Sequence, residues 1–274
     1  STTVAISYTN TRGALLADRQ SADDFTATAS LPATSAIQFV TNARDGSFIL
    51  DNNGSGNNSV LDVNRANAKA LGFNVGPGSD ASITFSTLFS FDFDRSDGID
   101  AGKIDFVGVA AHEIGHALGF VSGVDAVDYF SAPNGPEKNT DLNEAGSGIG
   151  TLDPFRVFSV LDLFRYTGQT QSTNPGLLDL GYGGDAYMSL DGGVTRLGNL
   201  STGDFNGDGQ QASHWKDHQG IGIMDPTLGT GELALIRPAD LVAFDVIGFD
   251  LIPEPASVAL LLLGLPLVAR RRAA

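Results

Sequence analysis

All four histidines of the chain fall in two short stretches, His112-Glu113-Ile114-Gly115-His116 and Ser213-His214-Trp215-Lys216-Asp217-His218. Histidines four residues apart on a helix lie one turn above each other. Both imidazoles of the first stretch can therefore reach one metal ion, while Glu113 points toward the same cleft. Residues of these types at this spacing suit metal-assisted hydrolysis. Zn2+ held by three protein ligands keeps a fourth position for water and lowers its pKa toward ~7. A neighbouring carboxylate can then take the proton as that water attacks a peptide carbonyl. His112 and His116 are thus candidate ligands and Glu113 a candidate general base. The site lacks a third ligand, for which His214, its neighbour His218 and Asp125 are candidates.

These residues need a scaffold, and the sequence predicts an α+β one. Asp105 is placed to cap a helix running from about Phe106 to Leu118, with Phe106, Val109, Ala110, Ala117 and Leu118 facing a core and Gly119 ending it. Before it, runs at 3–8, 36–40, 47–50 and 82–85 read as short strands bounded by Gly, Asn, Asp or Pro. Val60, Val63, Ala66, Ala70 and Leu71 fit a helix over 60–71, interrupted by Asn64 and Asn67 and stopped at Gly72. After it, 120–213 is a long intervening region with Gly/Asn/Pro-rich loops and an apolar segment, 155–166. A hairpin is expected there, its strands 186–190 and 194–197 flanking Asp191-Gly192-Gly193. Pro238 starts a final helix carrying Leu241, Val242, Phe244 and Val246. No internal repeat or linker divides residues 1–250, which read as one domain with a mixed, mainly antiparallel-edged sheet.

Extended to Gly119, the helix motif is similar to the opening of the metzincin signature, His-Glu-x-x-His-x-x-Gly. A compact metzincin has its third histidine three residues after the glycine, where this chain has Ser122, a poor zinc ligand. Leishmanolysin-like metzincins instead insert a sizeable segment and deliver the third histidine from far downstream, often as His-Trp. Ser213-His214-Trp215 resembles that form, and Ile223-Met224-Asp225-Pro226 resembles the Met-turn that floors the zinc. The resemblance spans roughly 80–274 and includes 159–166, whose Arg165 and Tyr166 receive no role. It implies His112, His116 and His214 as zinc ligands, Glu113 as general base, Met224 beneath the metal, and 120–213 as the insert. It also implies an edge strand near Ser82 to Phe85 that aligns a protein or peptide substrate.

Residues 252–274 form a tripartite tail: Pro253-Glu254-Pro255, a 14-residue apolar run from Ala256 to Ala269, and Arg270-Arg271-Arg272. The run is shorter than the ~20 residues that span a bilayer. The tail resembles the PEP-CTERM sorting signal of Gram-negative bacteria. That likeness implies export, transient membrane contact, processing by an exosortase-type enzyme, and a destination at the cell surface or extracellular matrix. A net charge of −16 argues against nucleic acid as a partner, and the absence of cysteine excludes thiolate ligands and disulfides.

Two acidic segments raise Ca2+ as a second cofactor. Asp204, Asn206 and Asp208 match the opening of a calcium loop, but its twelfth position is Trp215 instead of a bidentate Glu. This favours a Gly-rich turn that presents His214. Asp92, Asp94, Asp97 and Asp100 form the other cluster. The leading expectation is a secreted zinc endopeptidase; the alternative is a non-catalytic surface or matrix protein with a structural zinc site.

Overall fold

The computed structural model describes residues 1–136, 153 and 155–251; the tail expected at 252–274 lies outside the described residues. Strand β1 (Thr3–Ser7) pairs antiparallel with β4 (Val60–Asn64), in register from Thr3 opposite Asn64 to Ser7 opposite Val60. Ile6, Leu61 and Val63 face the core. Between these strands the chain forms α1 (Tyr8–Asp18) and α2 (Ala22–Ser30), then β2 (Phe39–Asn42), β3 (Phe48–Asp51) and the short α3 (Gly56–Ser59). Helix α4 (Arg65–Ala70) follows β4, and the two-residue strands β5 (Phe91–Asp92) and β6 (Ile104–Asp105) pair in parallel.

The helix α5 (Phe106–Leu118) carries the histidine motif, and α6 (Val124–Phe130) follows it. After these come a 3-10 turn (Leu161–Phe164), β7 (Arg165–Tyr166), α7 (Gly168–Thr173), β8 (Leu178–Asp179), β9 (Tyr187–Met188), β10 (Gly198–Asn199) and α8 (Pro238–Val246). The fold is α+β, but the expected single mixed sheet is replaced by four small ones: β1-β4, β3-β2-β8, β5-β6 and β10-β9-β7. The described residues of 120–213 are woven into the domain, because β8 joins β2 in parallel and Asp62 donates its N–H to the Phe158 carbonyl at 2.8 Å.

Several expectations are corrected. The stretch 60–71 is a strand followed by a short helix; Leu61 and Val63 alternate inward against β1, and this pairing outweighs the helical stripe. The interrupting asparagines have distinct work. Asn64 donates to the His116 carbonyl at 2.7 Å, near the C-terminus of α5, and Asn67 donates to the Ile247 carbonyl at 2.5 Å beyond α8. Segment 82–85 belongs to no strand ladder. The strand expected at 36–40 lies at Phe39–Asn42 instead. The hairpin is wider than Asp191-Gly192-Gly193 implies, since β9 pairs with β10 through Met188–Gly198 and Tyr187–Asn199. Helices α1 and α2 were read only as part of a strand-rich region. The buried stripe of α1 is Tyr8, Thr11 and Leu15, too polar to stand out, and its clearer signal was the cap at Ser7.

Helix α5 starts where the sequence placed it, because Asp105 does more than cap. Its carboxylate accepts the Gly108 N–H at 3.0 Å, pairs with both Nε and Nη2 of Arg95, and accepts the Ala234 N–H at 3.1 Å. Arg95 also donates to the Ala234 carbonyl at 2.9 Å, so one ion pair ties the start of the helix to segment 233–235. Burial acts to raise the Asp105 carboxyl, but Arg95 and the two N–H donors outweigh it and hold the carboxyl below its ordinary range. Asp105→Asn is expected to cost about 3 kcal/mol at neutral pH, through loss of the cap and of the ion pair. Because the folded-state pKa is depressed, this contribution is complete above the unfolded value of about 3.8 and is lost as pH falls below it. Urea denaturation of both proteins at pH 7 and pH 3 should therefore show the gap between them shrinking in acid.

Candidate metal centre

Three imidazoles converge at the centre of the molecule. Nε2 of His116 lies 3.0 Å from Nε2 of His112 and 3.1 Å from Nε2 of His214. The opposite nitrogen of each ring faces a backbone carbonyl: His112 Nδ1 meets Ile223 O at 2.8 Å, His116 Nδ1 meets Phe120 O at 2.7 Å, and His214 Nδ1 meets Gln211 O at 3.1 Å. A carbonyl only accepts, so each Nδ1 carries the proton and each Nε2 presents a lone pair. The lone pair of His116, about 3 Å from those of both His112 and His214, is repelled by them unless a cation lies among the three. The spacing is close to the ~3.3 Å expected of tetrahedral nitrogen ligands at ~2.0 Å from zinc. The donor set therefore fits a Zn2+ ion.

Electrostatics favour the same state. Burial, reinforced by the neighbouring histidines, lowers the pKa of His214 to about 4, against the opposing bond to Gln211. Burial also lowers His116, against the opposing bond to Phe120. Both rings are neutral at physiological pH, as metal ligands must be.

The first two histidines are set by α5, and the third comes from an irregular segment 98 residues beyond His116. Gly119, at φ 127°, ends the helix and turns the chain so that the Phe120 carbonyl reaches back to His116. The Phe120 ring then packs edge-on against Trp215 at 5.1 Å. Trp215 is fully buried and donates its indole N–H to Asp240 at 2.9 Å. Asp240, in the first turn of α8, also accepts the N–H groups of Ile223 at 2.7 Å and Arg237 at 2.8 Å. One buried carboxylate thus holds the His-Trp segment and the Met224 turn together. Met224 is buried under α5 with its sulfur against Gly115, at a position where any Cβ would collide with it.

The other candidate ligands are placed elsewhere. His218 is 88% exposed, adopts φ 62° and faces Asp217, away from the three rings. Asp125 accepts the Ala212 N–H at 2.5 Å and the Ser213 hydroxyl, and it is not part of the histidine group. Burial pushes its carboxyl up to about 6, against these two donors. Ser122 donates its hydroxyl to the buried Asp162 at 2.6 Å.

Of the calcium candidates, Asp204 is exposed, while several others are engaged in hydrogen bonds. Asn206 turns its amide to Asp128 at 2.7 Å, and Asp208 accepts the Thr202 N–H at 3.0 Å and pairs with Lys216 at 3.0 Å. Asp92 accepts the N–H groups of Asp94 and Asp100, which lower its carboxyl pKa. Among the described residues one carboxylate group, Asp24, Asp245 and Asp250, also brings ligand atoms within 4.8 Å of one another. There Asp24 accepts the Gln20 and Ser21 N–H groups, and Asp245 accepts the Ser21 hydroxyl at 2.5 Å.

Glu113 lies between two hollows. One, of about 700 Å3, is lined by Val109, His112 and Glu113 of α5 together with Phe85, Phe91 and Leu235; a smaller one, of about 220 Å3, reaches His116. Segment 82–85 contributes to both. The sequence reading missed Asp240, Asp162 and Asn64 as supports of the site. Only Asp240 carried a signal, an acidic residue two positions after a helix-starting proline.

Comparisons with known protein families, curated proteins and solved structures gave no match. Functional assignment therefore rests on the site itself. Asp240→Ala would leave the Trp215 indole and the Ile223 N–H buried without partners, a cost of roughly 3 kcal/mol. Thermal melting should register that loss, and isothermal titration should show weaker Zn2+ binding, because the His214 segment and the Ile223 carbonyl lose a shared anchor.

Proposed function

We propose that the chain is a zinc-dependent endopeptidase. The observation that carries this reading is the convergence of three Nε2 lone pairs, two of them from the helix whose Glu113 lines two open hollows. His112, His116 and His214 would hold the ion, which when bound supplies an activated water and polarises the scissile carbonyl. Glu113 takes the proton of the attacking water and passes it to the leaving amine. The segment 82–85, which belongs to no ladder, lies along both hollows beside Glu113 and offers its peptide groups to an extended substrate.

A structural zinc site is the weaker reading. Such sites are closed by four protein ligands. Among the described residues no other histidine or carboxylate joins the three rings. The fourth position is left for water. We further place the protein at the bacterial cell surface or in the extracellular matrix, on the tripartite tail at 252–274 and its likeness to a sorting signal; no such role rests on the described residues. Among the described residues no helix is long and apolar enough to cross a membrane.

Removal of metal with a chelator should abolish hydrolysis of an unfolded protein substrate, and added Zn2+ should restore it. Glu113→Gln should lower kcat/KM by ~10²–10⁴ while leaving zinc content unchanged. Hydrolysis that survives this substitution would overturn the mechanism. The apolar lining of the larger hollow implies preference for a bulky apolar side chain beside the scissile bond. Val109→Phe should narrow that hollow, and peptide-library profiling should then show a shift toward smaller residues.

A further inference from the structure

Helix α5 carries His112 and His116, but His214 lies on a stretch without regular structure, so its aim depends on whatever holds residues 211–214. We propose that Asp125 is the positioning residue of the third histidine, clamping the 211–214 loop to the segment that leaves the active helix. The proposal rests on the reading of His214 as a metal ligand.

The clamp has two arms on one carboxylate. One oxygen of Asp125 accepts the Ala212 N–H at 2.5 Å, and the other accepts the Ser213 hydroxyl. These are the two residues between Gln211, whose carbonyl fixes the His214 ring at 3.1 Å, and His214 itself. The Ser213 hydroxyl is used in both directions, because it also accepts the Ser122 N–H at 2.9 Å. Ser122 is anchored in turn, donating its hydroxyl to Asp162 at 2.6 Å; Asp162 also accepts the N–H groups of Gly123 and Ser159 at 2.8 Å each. The chain just beyond Gly119 and the loop bearing the third ligand thus share one continuous set of hydrogen bonds. On the far side the His214 carbonyl accepts the Ser201 N–H at 3.0 Å.

The charge of Asp125 matters as well as its shape. Both of its partners donate, and a carboxylate accepts from both. An asparagine has one accepting oxygen, and its NH2 would face a donor. Asp125→Asn therefore releases one arm with little change in volume. Because the arms fix the two residues enclosed by the Gln211–His214 bond, release lets the His214 ring swing away from the other two. Partners that orient a ligand are typically worth ~10–100-fold in metal affinity.

The test is competitive titration of the full-length apoprotein with Zn2+, together with Co2+ absorption as a reporter of coordination geometry. Trp215, the single tryptophan and the immediate neighbour of His214, reports the loop by fluorescence. The variants are Asp125→Asn, Ser213→Ala and the double variant. Asp191→Asn serves as a control, because Asp191 likewise accepts a serine hydroxyl, from Ser189, and a main-chain N–H, from Thr195. We expect Asp125→Asn and Ser213→Ala each to weaken Zn2+ binding by ~10-fold or more and to alter the Co2+ spectrum. Their effects should be less than additive in the double variant, and far-ultraviolet circular dichroism should remain that of the folded protein. The control should lose thermal stability and keep its zinc affinity within about twofold. Should Asp125→Asn fail to fold, Ser213→Ala and its Co2+ spectrum decide alone. Zinc affinity in Asp125→Asn or Ser213→Ala no weaker than in the control overturns the clamp and leaves the zinc site standing. A wild-type chain that binds no Zn2+ overturns the site reading itself.

Discussion

Three imidazole lone pairs confined to one small space are the constraint around which this molecule is organised. They stay there because three backbone carbonyls, from Phe120, Gln211 and Ile223, hold the Nδ1 protons and leave Nε2 bare. Each carbonyl comes from a segment that must bend sharply to deliver it. Phe120 follows the positive-φ turn at Gly119, and Ile223 immediately precedes Met224, which packs beneath α5. The rings, their tautomers and the turns form one unit. Loosening any turn would free a proton position and with it a ligand.

Regular structure alone is too sparse to hold such segments. Among the described residues six of the ten strands have only two residues, so ladder hydrogen bonds supply little of the order. Buried carboxylates fill that role. Asp105, Asp128, Asp162 and Asp240 each accept main-chain N–H groups from other parts of the chain, joining α5 to segment 233–235, α6 to the 205–206 loop, the turn at 161–164 to the start of α6, and α8 to the turn at 223. Carboxylates are suited to this because they only accept, and unladdered loops expose N–H donors that must find partners once buried. Part of the strong acidity of the chain is thus internal architecture as well as surface charge.

How far the fold could be read beforehand followed the range of the forces involved. The helix at 106–118 and the start of α8 were legible because their determinants, Asp105, Gly119 and Pro238, act within one turn of the chain. The stretch 60–71 was misread because a local helical stripe competed with pairing to β1, some sixty residues earlier in sequence. The site was more legible than its supports. His112, Glu113 and His116 stood in one motif, and His214 followed from its tryptophan and the methionine after it. Asp125 was legible only as a fallback ligand behind His214, because the sequence could not reveal that Ala212 and Ser213 would take both of its oxygens.

The sequence by itself determined the chemistry on offer: two ligands and a base on one helical face, a third histidine in reserve, and no thiolate to compete. Those choices depend on side-chain type and helical pitch, which need no tertiary contact. Tertiary structure decided that His214 completes the group and that His218 is left exposed. It also decided that the described residues of 120–213 pack into the domain and that buried carboxylates tie helices to loops. These outcomes depend on buried hydrogen bonds between residues tens to more than a hundred positions apart, and only the folded chain brings such partners within reach.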